Sequence, residues 1–299
     1  MLRDSLKAGV SLLVPAATYF LLRIYIGRVL GEEALGLYSI TWAVYSFALV
    51  FGTFGLGTAM TRYAAQVGDN IRRQSRLLVS GLGHVFVGAV MVALVLALAA
   101  HPISHRVFDL EELSVLLLIA AIALPGAATG KVILGFLNGR RRMSAYAVVA
   151  IVQSLAIAAL SVLLVEAGYG VRGAILGLLL PTSIVGVLSL CVTRRELKIG
   201  ISFTNGVTFS RGLLQFGLFV TLANGVGLVQ SYTDSLMLGA LLSERDVGLY
   251  AAALLVFQAI RFCGSAAQLA VNPRLAAAWS KGDTAGLTRT VNNSLALVA

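Results

Sequence analysis

The chain has 299 residues, of which 58% are hydrophobic and 12% charged, with a formal net charge of +10. A soluble domain carries roughly 25% charged residues, so the charge here is too sparse to cover a water-facing surface. A mean hydropathy of +0.89 points to lipid as the surrounding solvent. Cys191 and Cys263 both fall in apolar runs, which excludes a disulfide framework, and two thiols make no metal site.

Crossing the bilayer's hydrocarbon core of about 30 Å takes roughly 20 apolar helical residues. Runs of that kind predict membrane helices over residues 10–30, 35–60, 77–100, 113–137, 144–167, 173–193, 213–242 and 247–271. A ninth run starts near Thr288 and reaches Ala299, too short to cross, so the chain is expected to stop inside a helix as a fragment would. The first run follows Arg3 and Lys7 as in a signal peptide, but it is long and lacks a small-residue cleavage pattern, so it reads as a membrane helix. The loops are short and leave no room for a soluble catalytic domain. The expected class is an all-α, multi-pass membrane protein that is not an enzyme.

The basic residues sort by side. One side receives Arg3, Lys7, Arg62, Arg72, Arg73, Arg76, Arg140, Arg141, Arg142, Arg194, Arg195, Lys198, Arg211, Arg274, Lys281 and Arg289. The other receives only Arg28, Arg106, Arg172 and Arg245. The positive-inside rule puts the richer side, and the N-terminus, in the cytoplasm. The same sorting accounts for the positive charge without a nucleic-acid partner.

The chain also repeats itself. Shifting it by 212 positions (239 against 27) lays Gly27–Tyr38 on Gly239–Tyr250, with Gly27, Leu30, Glu32, Gly36, Leu37 and Tyr38 meeting identical residues. Downstream, Gly52 meets Gly264 and Arg62 meets Arg274 without a gap. Six helices separate the copies, an even number, so the repeat is parallel about an axis normal to the membrane. The expected domains are a six-helix lobe over residues 1–200 and an incomplete second lobe over 201–299.

A family resemblance rests on residues 23–65. Gly27-Arg28 closes the first helix, Glu33-Ala34-Leu35-Gly36-Leu37-Tyr38 opens the second, and Gly55-Leu56-Gly57 followed by Arg62-Tyr63 ends it. This hairpin resembles that of polysaccharide-biosynthesis membrane proteins, the Wzx-type oligosaccharide flippases. They belong to the MOP (MATE-like) exporter superfamily, with multidrug exporters and the lipid II flippase. The resemblance implies a MATE-like two-lobe transporter that flips a polyprenyl-diphosphate-linked oligosaccharide by alternating access. It also implies a membrane-lipid environment, a possible coupling ion, a monomer when full length and no cofactor.

A charge at membrane depth is costly and needs a reason. Arg23, Lys131, Asp234 and Arg261 are the four such residues and the candidate substrate-binding set. Arg23 and Lys131 lie near enough to a helix end that snorkelling explains them nearly as well. Asp234 falls by the repeat on Leu22, beside Arg23, so an ion pair across the axis is one expectation and a local partner the other. Arginine forks match phosphate oxygens at two points, and Gln153, Gln215, Asn224, Gln230, Gln258 and Gln268 offer polar groups to sugars, or serve as interhelical glue. Gly135 with Gly139, and Gly173 with Gly177, have close-packing spacing. Pro15, Pro125, Pro181 and the glycine pairs 55/57 and 225/227 mark places where helices bend or kink.

Other motifs carry little. Gly126–Lys131 is one residue short of a phosphate loop, and His101 and His105 lack a further metal ligand. Two rival functions remain open: a cation-coupled multidrug exporter, and a membrane-embedded glycan polymerase or ligase. The first usually needs an intramembrane carboxylate, and the first six spans offer only Glu166 at an outer end. The second usually needs a large external loop, and the longest, around residues 101–112, is short.

Overall fold

The computed structural model describes residues 2–194 and 207–258, with side chains over 13–194 and 211–258. Two compact units are distinguished, Met1–Ala251 and Ala252–Ala299, and the architecture below is that of the first. The predicted ninth helix, the later part of the eighth, Arg261 and the expected lobe boundary at 200–201 lie outside the described residues.

Every described element is helical. The order is α1 (Leu2–Val29), α2 (Gly31–Thr53), α3 (Leu56–Gln66), α4 (Ile71–Pro102), α5 (Glu111–Gly139), α6 (Met143–Leu164), α7 (Gly170–Leu188) and α8 (Val207–Leu241). A further helix runs over 244–258. Among the described residues, five helical stretches are long and apolar enough to cross a membrane: Gly31–Gln66, Ile71–Phe108, Glu111–Gly139, Met143–Thr193 and Arg211–Leu241. The 51 residues of Met143–Thr193 would extend roughly 75 Å as one helix, more than twice the hydrocarbon core. They instead reverse at Gly168 and Gly170, whose φ angles of +86° and +55° favour glycine. The reversal makes α6 and α7 a hairpin, in which Ser161 Oγ donates to the Ala174 carbonyl at 3.4 Å.

α5 is the centre of the bundle. Leu113, Leu116, Leu117, Ala120, Leu124, Val132, Ile133 and Phe136 on it are sealed from solvent. Its glycines let neighbouring backbones close in. A Cβ at Gly126 would stand 1.9 Å from Ser183 Oγ of α7, and one at Gly135 would stand 2.0 Å from the Gly57 carbonyl of α3. The close-packing role expected of Gly135, Gly139 and Gly177 is what the structure shows: a Cβ at Gly139 would stand 2.3 Å from the Thr61 carbonyl, and one at Gly177 would stand 2.2 Å from Ser161 Cα. Small residues permit this approach where lipid supplies no hydrophobic drive between helices.

The span expected over 35–60 is broken in two. Phe54 and Gly55 take φ of +47° and +62°. The Phe54 N–H turns back to the carbonyls of Val50 and Phe51, which ends α2. The break has a steric use, because a Cβ at Gly55 would lie 2.4 Å from the Gly217 carbonyl of α8. Gly225 and Gly227, by contrast, sit in unbroken helix with no neighbour within 4 Å.

α8 runs along the α2–α3 pair. At the arginine-rich end, Phe216 lies under the Arg62 guanidinium at 4.5 Å and edge-on to Tyr63 at 6.5 Å. One residue on, Gly217 abuts the Phe54 carbonyl. Toward the far end, Trp42 Nε1–H donates to Tyr232 Oη at 3.0 Å, and Gly239 abuts Ile40. At the far end itself the two copies of the sequence repeat meet. A Cβ on Gly36 would lie 1.8 Å from the Glu244 carbonyl, and one on Gly248 would lie 1.8 Å from the Glu32 carbonyl. Gly36 and Gly248 are repeat partners, as are Glu32 and Glu244, so the contact is self-reciprocal, the pattern a local two-fold relation produces. Arg245 Nε adds an exposed ion pair to Glu32 at 3.0 Å.

Candidate functional site

Three of the four candidate residues fall among the described residues, on three different helices. Arg23 is half-buried on α1. It lies within electrostatic reach of the hydroxyl of Tyr38, a side chain almost wholly sealed on α2. Lys131 sits on α5, where its backbone carbonyl faces Gly57 just beyond the α2–α3 break. Its side chain is exposed on α5 and makes no ion pair among the described residues. Asp234 is exposed on α8 and accepts a hydrogen bond from Tyr250 Oη at 2.5 Å. The local partner therefore holds Asp234, and among the described residues Asp234 and Arg23 form no ion pair. Arg261 lies outside the described residues.

An aromatic cluster that residue-by-residue reading missed fills the space beside Arg23. Tyr19 of α1 meets Trp42 of α2 with ring centroids 5.9 Å apart, and Trp42 meets Tyr45 at 5.8 Å. Tyr38, Trp42 and Tyr45 follow i, i+4, i+7 spacing and share a helix face, a signal that was legible. Tyr232 closes the group from α8 through its bond with Trp42. Tyr45 is 1% exposed, and its hydroxyl has no hydrogen-bond partner among the described residues. Tyr19, Trp42 and Tyr232 remain partly open.

Of the proposed polar lining, Gln215, Asn224 and Gln230 are exposed along α8, Gln258 is exposed on the helix over 244–258, Gln153 is half-buried on α6, and Gln268 lies outside the described residues. Glu166, the remaining carboxylate candidate, accepts a hydrogen bond from Tyr25 Oη at 2.6 Å, which ties the α6–α7 turn to α1. A separate cavity of about 530 Å³ opens at the far end, lined by Glu33, Glu112, Tyr169 and Arg172 among others. It holds none of the candidate residues. Beyond α8, the Ser243 hydroxyl and N–H both donate to Asp246 Oδ2, at 2.6 and 3.1 Å, and the Asp246 N–H donates to Ser243 Oγ at 3.3 Å. These bonds hold the Asp246 carboxyl below the usual carboxylate range. His101 and His105 have ring centroids 4.2 Å apart, but among the described residues no three ligating side chains converge.

Comparison with known proteins extends this picture. The chain is 27% identical over 306 aligned residues to the lipid III flippase of Escherichia coli (strain K12), with 99% of this chain and 71% of that protein covered. The same figures hold for the lipid III flippase of Shigella flexneri. Among solved structures, the outward-facing conformation of a multidrug resistance MATE family transporter of the MOP superfamily superposes with a TM-score of 0.64 at 17% identity, covering 99% of this chain and 68% of that one. At that identity the likeness speaks to the fold alone, and it agrees with the all-α, MATE-like architecture. A family model described as polysaccharide biosynthesis protein matches residues 6–279, and the chain belongs to that family.

Proposed function

We propose that this protein translocates a polyprenyl-(pyro)phosphate-linked oligosaccharide across the cytoplasmic membrane, from the cytoplasmic to the outer leaflet. Its N-terminus is cytoplasmic, as the sorting of arginines implies. Two lobes open alternately to either side, and the full-length protein acts as a monomer. The lipid tail stays in the bilayer, cations in the cavity hold the diphosphate, and no bond of the substrate is made or broken. Family membership and the flippase relatives support this reading. The observation that carries it is Lys131, a cation exposed from α5 at membrane depth with no ion pair among the described residues. An anion passing that position replaces the missing counter-charge.

The test is glycan export in cells whose own flippase is deleted. Wild type restores export, Lys131→Ala and Arg23→Ala lower it with normal membrane insertion, and Lys131→Arg retains it. Full export by both alanine variants overturns the assignment of these cations.

One observation favours a place for a coupling ion. Asp234 is a carboxylate on a membrane helix, held by a single phenol. Asp234→Asn is expected to slow export. Drug resistance that survives Asp234→Asn, with surface polysaccharide unchanged, would turn the reading toward a multidrug exporter with little role for this carboxylate.

A further inference from the structure

We infer that Tyr19, Trp42, Tyr45 and Tyr232, beside Arg23, form a subsite for the sugar ring next to the diphosphate, an assignment that rests on the flippase reading above. The C–H face of a pyranose carries slight positive charge and stacks on the negative face of an aromatic ring. Its hydroxyls need donors and acceptors at the ring edges. This cluster supplies both kinds of group. Tyr19, Trp42 and Tyr232 are partly open, come from α1, α2 and α8, and are linked by ring contacts and one hydrogen bond.

Packing alone does not explain the residue types. A membrane-protein core is filled well by leucine and phenylalanine, whereas each of these side chains brings a polar head into low dielectric. Tyr45 is the clearest case: its hydroxyl is sealed and has no partner among the described residues. Buried hydroxyls are rarely left so, and an unexplained one marks a missing partner. Trp42 Nε1–H is bound to Tyr232 Oη across the α2–α8 seam. Separation of α8 from α2, which alternating access requires, frees that N–H and uncovers the polar edge of the cluster. Trp42 Nε1–H and Tyr232 Oη are then both free to bond a sugar hydroxyl. Arg23 is half-buried and makes no ion pair among the described residues, so the diphosphate beside the sugar meets a free guanidinium. The order along the substrate, phosphate at Arg23 and first sugar at Trp42, follows from α1: Tyr19, one helical turn before Arg23, is the ring that meets Trp42.

The experiment measures binding of two probes to the purified protein in lipid nanodiscs: bare polyprenyl diphosphate, and the same lipid bearing one pyranose, as glucose, galactose and their 2-acetamido forms. Wild type is expected to bind at least one sugar-bearing lipid about tenfold more tightly than the bare lipid. Trp42→Ala abolishes that preference and leaves bare-lipid binding unchanged, while Arg23→Ala weakens both probes alike. Tyr45→Phe is the decisive variant, because it removes a hydroxyl with no protein partner and so preserves the fold. A subsite predicts a several-fold loss of sugar preference in Tyr45→Phe, and a packing role predicts none. Unchanged preference in both Tyr45→Phe and Trp42→Phe overturns the subsite, even if Trp42→Ala fails to fold. Binding of neither probe by wild type overturns the flippase reading together with the subsite. Equal wild-type binding of both probes overturns the subsite alone.

Discussion

The seam that α8 and the helix after it make with the α2–α3 pair is built differently at its two ends. At the far end backbone meets backbone, Gly36 on Glu244 and Gly248 on Glu32, in a contact each repeat copy makes on the other. Toward the arginine-rich end one backbone contact, Gly217 on Phe54 and Gly55, gives way to side chains: Arg62 lies over Phe216 and Tyr63 meets Phe216 edge-on. Main-chain contact has no rotamer to adjust, so it is either made or broken, as expected of close-packed surfaces that switch between discrete arrangements. A guanidinium over a ring tolerates sliding and partial separation. Under alternating access, the far end is the all-or-none closure and the arginine-rich end the graded one.

The largest expected effect breaks the far end. Gly36→Ala puts a methyl where 1.8 Å separates it from a carbonyl oxygen, so the seam must spread. Overpacking of this kind costs about 1–3 kcal/mol, and more where backbone moves. Glycan export is expected to fall near background. A cysteine at Ile40, a sealed position against Gly239, should become reactive to a membrane-impermeant thiol reagent, with Cys191 and Cys263 replaced. Gly248→Ala should give the same defect, and the double variant less than the sum, because both spread one contact. Gly83→Ala, with no neighbour within 4 Å, is the matched control. Equal export by Gly36→Ala and Gly83→Ala would remove the far-end closure from the mechanism.

A smaller effect is expected at the other end. Arg62→Gln or Phe216→Leu removes a cation–π contact worth about 0.5–2 kcal/mol. Export should be reduced but retained, with labelling at position 40 unchanged. Smaller again is Glu32→Gln, which deletes the Arg245 partner. Both side chains are well exposed, at 63% and 42%, so the pair contributes about 0–1 kcal/mol and less at high salt. Opening of the far end should quicken slightly in low salt, and high salt should erase the difference between Glu32→Gln and wild type.

Much of this fold was legible because hydropathy and turn residues act locally. The spans expected at 77–100, 113–137 and 144–167 became α4, α5 and α6 within a few residues of helix proper, since each holds one unbroken apolar run. The break at Phe54–Gly55 was not legible as a break: apolarity continues through it, and its cause is the α8 backbone more than 160 residues later. The repeat was legible as identity at Glu32, Gly36 and Tyr38, but identity does not say that the copies touch. The candidate cations were legible as charges out of place; the structure leaves Lys131 exposed on α5 and Arg23 half-buried on α1. The partner of Asp234 was missed, because Tyr250 had registered only as a repeat match to Tyr38. The aromatic group escaped notice since its members come from three helices, and only the α2 triplet has a spacing to find.

The last and smallest effect separates the two repeat copies themselves. The first copy turns into α2 through Gly31 at φ +85°, and no side chain caps that helix. The second turns through Ser243 and Asp246, whose side chains bond reciprocally around the start of the next helix, in the manner of a capping box. The donors on Ser243 lower the carboxyl pKa of Asp246, helped less by the nearby Arg245 charge. A carboxyl depressed in the folded state stabilises most above its unfolded value, about 3.9, and that stabilisation fades as pH falls through the folded value. Amide exchange over residues 244–248 should therefore stay constant around neutral pH and quicken only in acid, below the usual carboxylate range. Ser243→Ala should quicken it at every pH, and should leave the matching amides over 32–36 untouched. Exchange that begins to rise near neutrality, or a Ser243→Ala profile identical to wild type, would show that the Gly36–Gly248 contact alone holds this turn.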